Sequence, residues 1–202
     1  MPEIAELIAS LAGEGQDARL ELIQLGEPTV ESLLQAFTDP SNPTRLRVQA
    51  ARVLSEIGDH RAIGSLLTYF DDRSNPERPS IALCFTRLHD ARVLDRLLEA
   101  MDMDEEDVNV RSFAMCSLVT IGEPRTREKL LEALERVASG KEPDEIMRSE
   151  VITFTRSLLV KLGDREGFSP AIGPLRRLLH DPDPWIQKNA AKTLAAFDVT
   201  ST

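Results

Sequence analysis

Three histidines, His60, His89 and His180, each stand beside an aspartate, in the strings GDH, LHD and LHDP. An imidazole next to a carboxylate is the pairing that orients a general base or helps hold a metal. Either use needs several such groups to converge. These three fall in separate turn-like strings far apart along the chain, so they read as helix-end turn residues rather than a site. The densest acidic run, DMDEEDVNVR (102–111), resembles the first half of a calcium loop. Its sixth place, where glycine is required, is Asp107, and its twelfth, where a bidentate Glu belongs, is Phe113. It is expected to be a solvated loop in which Asp107 caps a helix starting at Val108. Cys84 and Cys116 lack metal-ligand spacing. There is no Gly-rich phosphate loop and no Ser–His–Asp order. No catalytic residue, metal ligand or cofactor is assigned, and nothing in the sequence requires an enzyme.

Composition narrows the elements that could position such groups. The chain has 202 residues with 10 glycines and 4% aromatics, and Ala, Leu, Glu and Arg dominate, which favours helix over sheet. A hydrophobic content of 42% suffices for a packed interior. The start, MPEIAELIASLAGEG, has acidic residues where a signal peptide carries basic ones, and no apolar run approaches a bilayer span. With two unpatterned cysteines, a reducing cytoplasmic compartment is expected. A net charge of −10 argues against a general nucleic-acid binder, and no membrane partner is expected.

Those elements repeat. A turn signal recurs at LGE (25–27), IGD (57–59), LHD (88–90), IGE (121–123), LGD (162–164) and FDV (197–199), spacing the middle residues by 32, 31, 33, 41 and 35. Eight residues before these anchors stand Ala18, Ala50, Ile81, Ala114, Thr155 and Ala190; four before stand Leu22, Leu54, Phe85, Leu118, Leu159 and Leu194. With matching positions five and one before, they form one stripe on a 3.6-residue helix. A second apolar helix follows most anchors: VESLLQAF (30–37), IGSLLTYF (63–70), VLDRLLEAM (93–101), REKLLEAL (127–134) and IGPLRRLL (172–179). Adding a leading helix near residues 3–12 gives about twelve helices in six pairs. Gly26, Gly58, Gly122 and Gly163 suit C-terminal caps with positive φ; His89 and Asp198 replace them in two repeats. No pair can bury its apolar face alone, so the expectation is an all-α solenoid forming one domain over 1–202.

The stretches DPDPWIQKNAAKTLAAF and LRVQAARVLSEIGDHRAIGSLL resemble HEAT repeats, specifically the bacterial HEAT-like repeats of the phycobilisome-lyase type. The resemblance is weakest in residues 1–25 and in the insertion ERVASGKEPDEI (135–146). It implies that the second helix of each pair lines a concave side. It also implies that Arg47, Arg78 and Arg111, each eleven residues before an anchor, pair with aspartates in a ladder. Ile152 and Gln187 hold the matching places in the later repeats and leave that ladder incomplete.

On the second helices, the positions facing away from the core stripe are expected to line a basic, partly apolar groove. Its residues are Arg52, Leu83, Arg87, Cys116, Val119, Arg156, Val160, Lys188 and Lys192. Segments 44–57, 78–88, 108–121, 148–162 and 185–197 hold eleven basic residues against two acidic ones, a balance of +9 in a chain of net charge −10. Apolar positions rimmed by charge are typical of partner sites. The leading expectation is a non-enzymatic scaffold or adaptor that takes an acidic or amphipathic segment of another protein. The alternative, implied by the resemblance, is an accessory subunit of a bilin lyase or a bilin-handling factor. A nucleic-acid channel would need stacking aromatics, and the second helices offer only Trp185, which is expected to cap the open end of the array.

Overall fold

The computed structural model describes residues 3–13, 15–88, 90–102 and 107–198. Among them lie twelve α-helices and no strand: α1 Ile4–Ser10, α2 Gln16–Leu25, α3 Val30–Thr38, α4 Thr44–Ile57, α5 Ala62–Asp71, α6 Arg78–Cys84, α7 Ala91–Asp102, α8 Val108–Ile121, α9 Thr126–Ala138, α10 Glu145–Leu162, α11 Ile172–Leu178 and α12 Pro184–Asp198. The chain divides into two compact units, Met1–Arg96 and Leu97–Thr202. His89 and residues 103–106 of the acidic run lie outside the described residues.

The helices stop where the anchors predict. Gly26, Gly58, Gly122 and Gly163 follow α2, α4, α8 and α10 with φ of 66°, 76°, 83° and 66°, a backbone state that side chains with a Cβ resist. The N–H of each returns to the carbonyl four residues earlier, at Leu22, Leu54, Leu118 and Leu159. Asp107 starts α8 as expected: its carboxylate accepts from Asn109 N at 2.8 Å and from Val110 N at 3.4 Å.

In the first unit, the stripe positions are interior. Leu22, Ala50, Val53, Leu54, Ile81 and Phe85 are fully buried, together with Val30, Leu33, Ile63 and Leu66 from the intervening helices. Each such aliphatic or aromatic side chain contributes roughly 1.5–3 kcal/mol through burial. Phe70 meets Phe85 edge-on at 5.5 Å between ring centroids. Two loops with one sequence pattern, Asp-x-Ser-Asn-Pro, set the entry to α4 and α6. Asp39 Oδ1 accepts from Ser41 N and Oγ at 2.8 and 2.7 Å, and Asn42 Nδ2 donates to Ala36 O at 3.0 Å. Asp72, Ser74 and Asn75 repeat this, with Asn75 Nδ2 donating to Tyr69 O at 3.1 Å.

The ladder arginines are anchored on backbone as well as on carboxylates. Arg47 Nε donates to Phe37 O at 3.1 Å, and Arg78 Nε to Phe70 O at 2.7 Å. Each thus reaches a carbonyl at the C-terminal end of the helix before it, where a cation offsets unpaired carbonyls and the helix dipole. Their guanidinium groups also lie over Tyr69 and Phe70, at 4.8 and 5.2 Å from the ring centroids. Backbone carbonyls and ring faces join the aspartates as partners: hydrogen bonds from Ser41, with the Arg47 charge, hold the Asp39 carboxyl below its usual range, and Ser74 with Arg78 does the same at Asp72. Gln187 does not leave a gap either, since its amide donates to Asp181 O at 2.6 Å.

In the second unit, Ala114, Leu118, Ile152, Leu158, Leu175 and Ala190 are fully buried. The insertion lengthens both flanking helices and leaves a loop at 139–144: α9 runs on to Ala138 and α10 begins at Glu145, giving α10 18 residues. Asp144 caps α10 by accepting from Met147 N at 2.8 Å. The intervening Glu142 is only 5% exposed and accepts from Arg111 Nη2 at 3.0 Å. The carboxylate that Arg111 reaches comes from the insertion rather than from a repeat position. Arg148 makes a second such pair with Asp181.

Candidate protein-binding surface

Three of the expected surface residues come together in the first unit. Arg52 is exposed on α4, Leu83 is half-buried on α6, and Arg87 is exposed just beyond it. With Arg19, Glu56 and Thr86 they line a depression of about 240 Å³. Glu56 sits between two of the cations, 2.8 Å from Arg19 and 3.4 Å from Arg87. Beside it, a cleft of about 440 Å³ is lined by Arg19, Arg45, Gln49 and Arg52, with Gly13 and Gly15 on its backbone side. Among the described residues that line the two hollows, Glu56 is the carboxylate, and it pairs with Arg19 and Arg87. Arg52 makes no hydrogen bond or ion pair among the described residues. Glu14 lies outside them. The sequence reading missed Arg19 and Arg45. Arg19 lies on a first-unit helix left out of the surface count, and Arg45 stands one turn nearer the start of α4 than the positions counted.

The second unit presents the others. Val160 is 68% exposed near the end of α10, at the edge of a cleft of about 660 Å³ with Leu159, Gly163, Asp164 and Ala196. Arg156 is half-buried and has no hydrogen-bond or ion-pair partner among the described residues. Lys188 and Lys192 are exposed on α12. Cys116 is half-buried on α8, and burial pushes its thiol above the ordinary range. Val119 is a correction: at 7% exposure it belongs to the interior of α8, because its position turns toward a packed neighbour rather than to solvent. Trp185, expected to cap the open end of the array, is 57% exposed; its Nε1 donates to Ser149 Oγ on α10 at 2.8 Å, and Lys188 Nζ lies 5.7 Å from the ring centroid. It thus bridges two second helices.

The groups that could do acid–base chemistry are spread out. His60 and His180 are exposed. Asp59, beside His60, is occupied by Arg61, whose N and Nε donate to it at 2.9 and 3.0 Å, and this holds its carboxyl below the usual range. Asp90 and Arg92 repeat the arrangement at 2.9 and 3.0 Å, with the same effect on Asp90. These are local turns that begin α5 and α7. Among the described residues, no three His, Cys, Asp or Glu side chains lie together as a metal site. No described helix is long and apolar enough to cross a membrane.

Comparison with known proteins bears first on the fold. Residues 46–72, from α4 through α5, match the sequence profile of the PBS lyase HEAT-like repeat. A designed armadillo repeat protein, in complex with the peptide (KR)4, superposes with a TM-score of 0.61 at 18% identity, covering 97% of this chain and 100% of that one. An engineered protein of known structure superposes with a TM-score of 0.54 at 17% identity, covering 98% and 97%. The chain is an all-α solenoid of about twelve helices, and its residues 46–72 match a HEAT-like repeat. Human deoxyhypusine hydroxylase is 29% identical over 161 residues, which are 78% of this chain and 49% of that protein. The mouse protein is 28% identical over 98 residues, 48% of this chain and 32% of its own length. The chain thus spans half or less of the curated relatives it matches.

Proposed function

We propose that this chain is a non-enzymatic protein-binding scaffold that takes an acidic segment of a partner against its second helices. The observation that carries the reading is the first unit's surface, where Arg19, Arg52 and Arg87 line one hollow with Glu56 and Leu83, and Arg19, Arg45 and Arg52 line the cleft beside it. In the second unit Val160, Lys188 and Lys192 are exposed and Arg156 is half-buried. Cations beside a modest apolar strip suit an acidic or amphipathic segment better than a flat charged surface would. The peptide held by the designed armadillo protein is basic. A repeat protein with cationic second helices selects the opposite charge.

The test pairs Arg52→Glu with Lys192→Glu, one exposed cation on each unit. Titrated with a labelled (DE)4 peptide, the double variant loses affinity by about tenfold or more while its melting temperature stays within a few degrees. Unchanged affinity, or a collapse in melting temperature, would sink the reading.

A second reading, favoured by the match to human deoxyhypusine hydroxylase, makes the chain part of a hydroxylating enzyme. It requires a deoxyhypusine-bearing protein incubated with the purified chain to gain one oxygen by mass. No gain removes it. The name of the matched repeat also keeps bilin handling as an alternative. In that case mixing with phycocyanobilin shifts the visible band, and an unshifted band excludes it.

A further inference from the structure

We infer that the cleft between the start of α2 and the outward face of α4 binds a phosphoryl group, carried on a serine or threonine of the acidic partner segment. The inference rests on the scaffold reading above and assigns a chemistry to one part of that surface. Arg19, Arg45 and Arg52 line the cleft. Their charges are unequally compensated. Arg19 donates to Glu56 at 2.8 Å, and Glu56 is shared with Arg87. Arg45 spends one N–H on the neutral carbonyl of Gly13, at 2.7 Å, and keeps its full charge. Arg52 has no hydrogen-bond or ion-pair partner among the described residues. Among the described residues, two guanidinium charges are therefore left without an ion pair in one cleft of about 440 Å³.

A carboxylate brings about one negative charge and two oxygens, whereas a phosphomonoester brings roughly −1.5 to −2 and three acceptor oxygens. The second matches two uncompensated guanidinium groups, whose planar forks engage phosphate in pairs of hydrogen bonds. The backbone side is shaped by Gly15, where an added Cβ would come within 2.4 Å of Ser10 O. Only glycine lets this turn lie so tightly against α1. Gly15 and Gln16 begin α2, whose first turn has no side-chain cap, so its positive end adds to the same field. Asp17, in that turn, is exposed and is not among the residues lining the cleft.

The experiment uses the full chain and two fluorescein-labelled peptides of Glu, Gly and Ser, identical except for one central phosphoserine. Fluorescence anisotropy is expected to show the phosphopeptide binding about tenfold tighter than its twin. Arg45→Gln with Arg52→Gln abolishes that preference, and Lys188→Gln keeps it. Inorganic phosphate displaces the phosphopeptide only at far higher concentration. Equal affinity for both peptides overturns the phosphoryl inference and leaves the acidic-segment reading standing; binding of neither overturns both. Inorganic phosphate binding as tightly as the phosphopeptide overturns the peptide as its source. Circular dichroism checks the fold of the double variant. Should it lose helicity, Arg45→Gln alone, an exposed change, carries the same comparison.

Discussion

Cys84 lies against Ser55, whose hydroxyl donates to the Cys84 carbonyl, and burial pushes its thiol from an ordinary 9.0 up to about 12. The folded state therefore keeps the proton that the unfolded chain gives up. Stability from this group is complete below about pH 9.0 and is lost as pH rises toward about 12. In urea unfolding at pH 8 and again at pH 10.5, the wild type should lose more of its midpoint than Cys84→Ala does; equal losses would show that the thiol ionises freely. Arg111 and Glu142 make a sharper case. Glu142→Ala leaves a half-buried guanidinium without its carboxylate and should cost about 3 kcal/mol in denaturant unfolding, whereas Arg111→Met with Glu142→Leu should recover most of it. If the double change were as damaging as the single one, the ion pair would not be the reason. The sequence made Arg111 legible as a flank residue, because its offset from the anchor places it there. Its partner was not legible, since Glu142 sits in an insertion that has no register with the repeat.

At the scale of the helix, the anchors were readable because a Cβ is disfavoured at φ near +70°, which leaves a mark in the sequence as glycine. Helix lengths were less so. The boundaries of α9 and α10 moved outward because the insertion has helix-forming residues and its own cap at Asp144. α6 moved inward: it gives way to a 3-10 turn at Phe85–Arg87, and Leu88 leaves with φ −102° and ψ 89°. Two glycines separate conformational need from accident. Gly58 has φ 76°, while Gly64 lies inside α5 with nothing within 4 Å of an added Cβ. Gly58→Ala should lower stability by about 1 kcal/mol and Gly64→Ala raise it by about 0.5–1 kcal/mol. Thermal melts of the two variants moving in the same direction would contradict this account.

For the molecule as a whole, the segregation of charge was visible from the segments alone, but its use was not. Of the eleven basic residues on the second-helix segments, Arg47, Arg78, Arg111 and Arg148 are spent on carbonyls, ring faces and carboxylates of neighbouring elements. Residue type cannot distinguish a cation that closes a helix end from one that faces a partner. The difference lies in where the preceding loop delivers a carbonyl. The same repeat logic leads us to propose that the chain unfolds as one domain, since the division into Met1–Arg96 and Leu97–Thr202 falls inside the continuous helix α7. Calorimetry should then show one transition whose calorimetric and van't Hoff enthalpies agree; two resolved peaks would divide the chain.

The paired Asp-x-Ser-Asn-Pro loops bear on how such a chain can change length. Asp39, Ser41 and Asn42 fasten the entry to α4 with the bonds that Asp72, Ser74 and Asn75 use at α6, and the carbonyls they reach, Ala36 and Tyr69, are 33 positions apart. A segment running from one loop to the next therefore begins and ends on the same molecular joint. Duplicating or excising residues 39–71 leaves a matched junction on either side. Growth or shrinkage by one unit of that length costs no new loop, and a gene that slipped by that interval would still encode a chain whose helices enter in register.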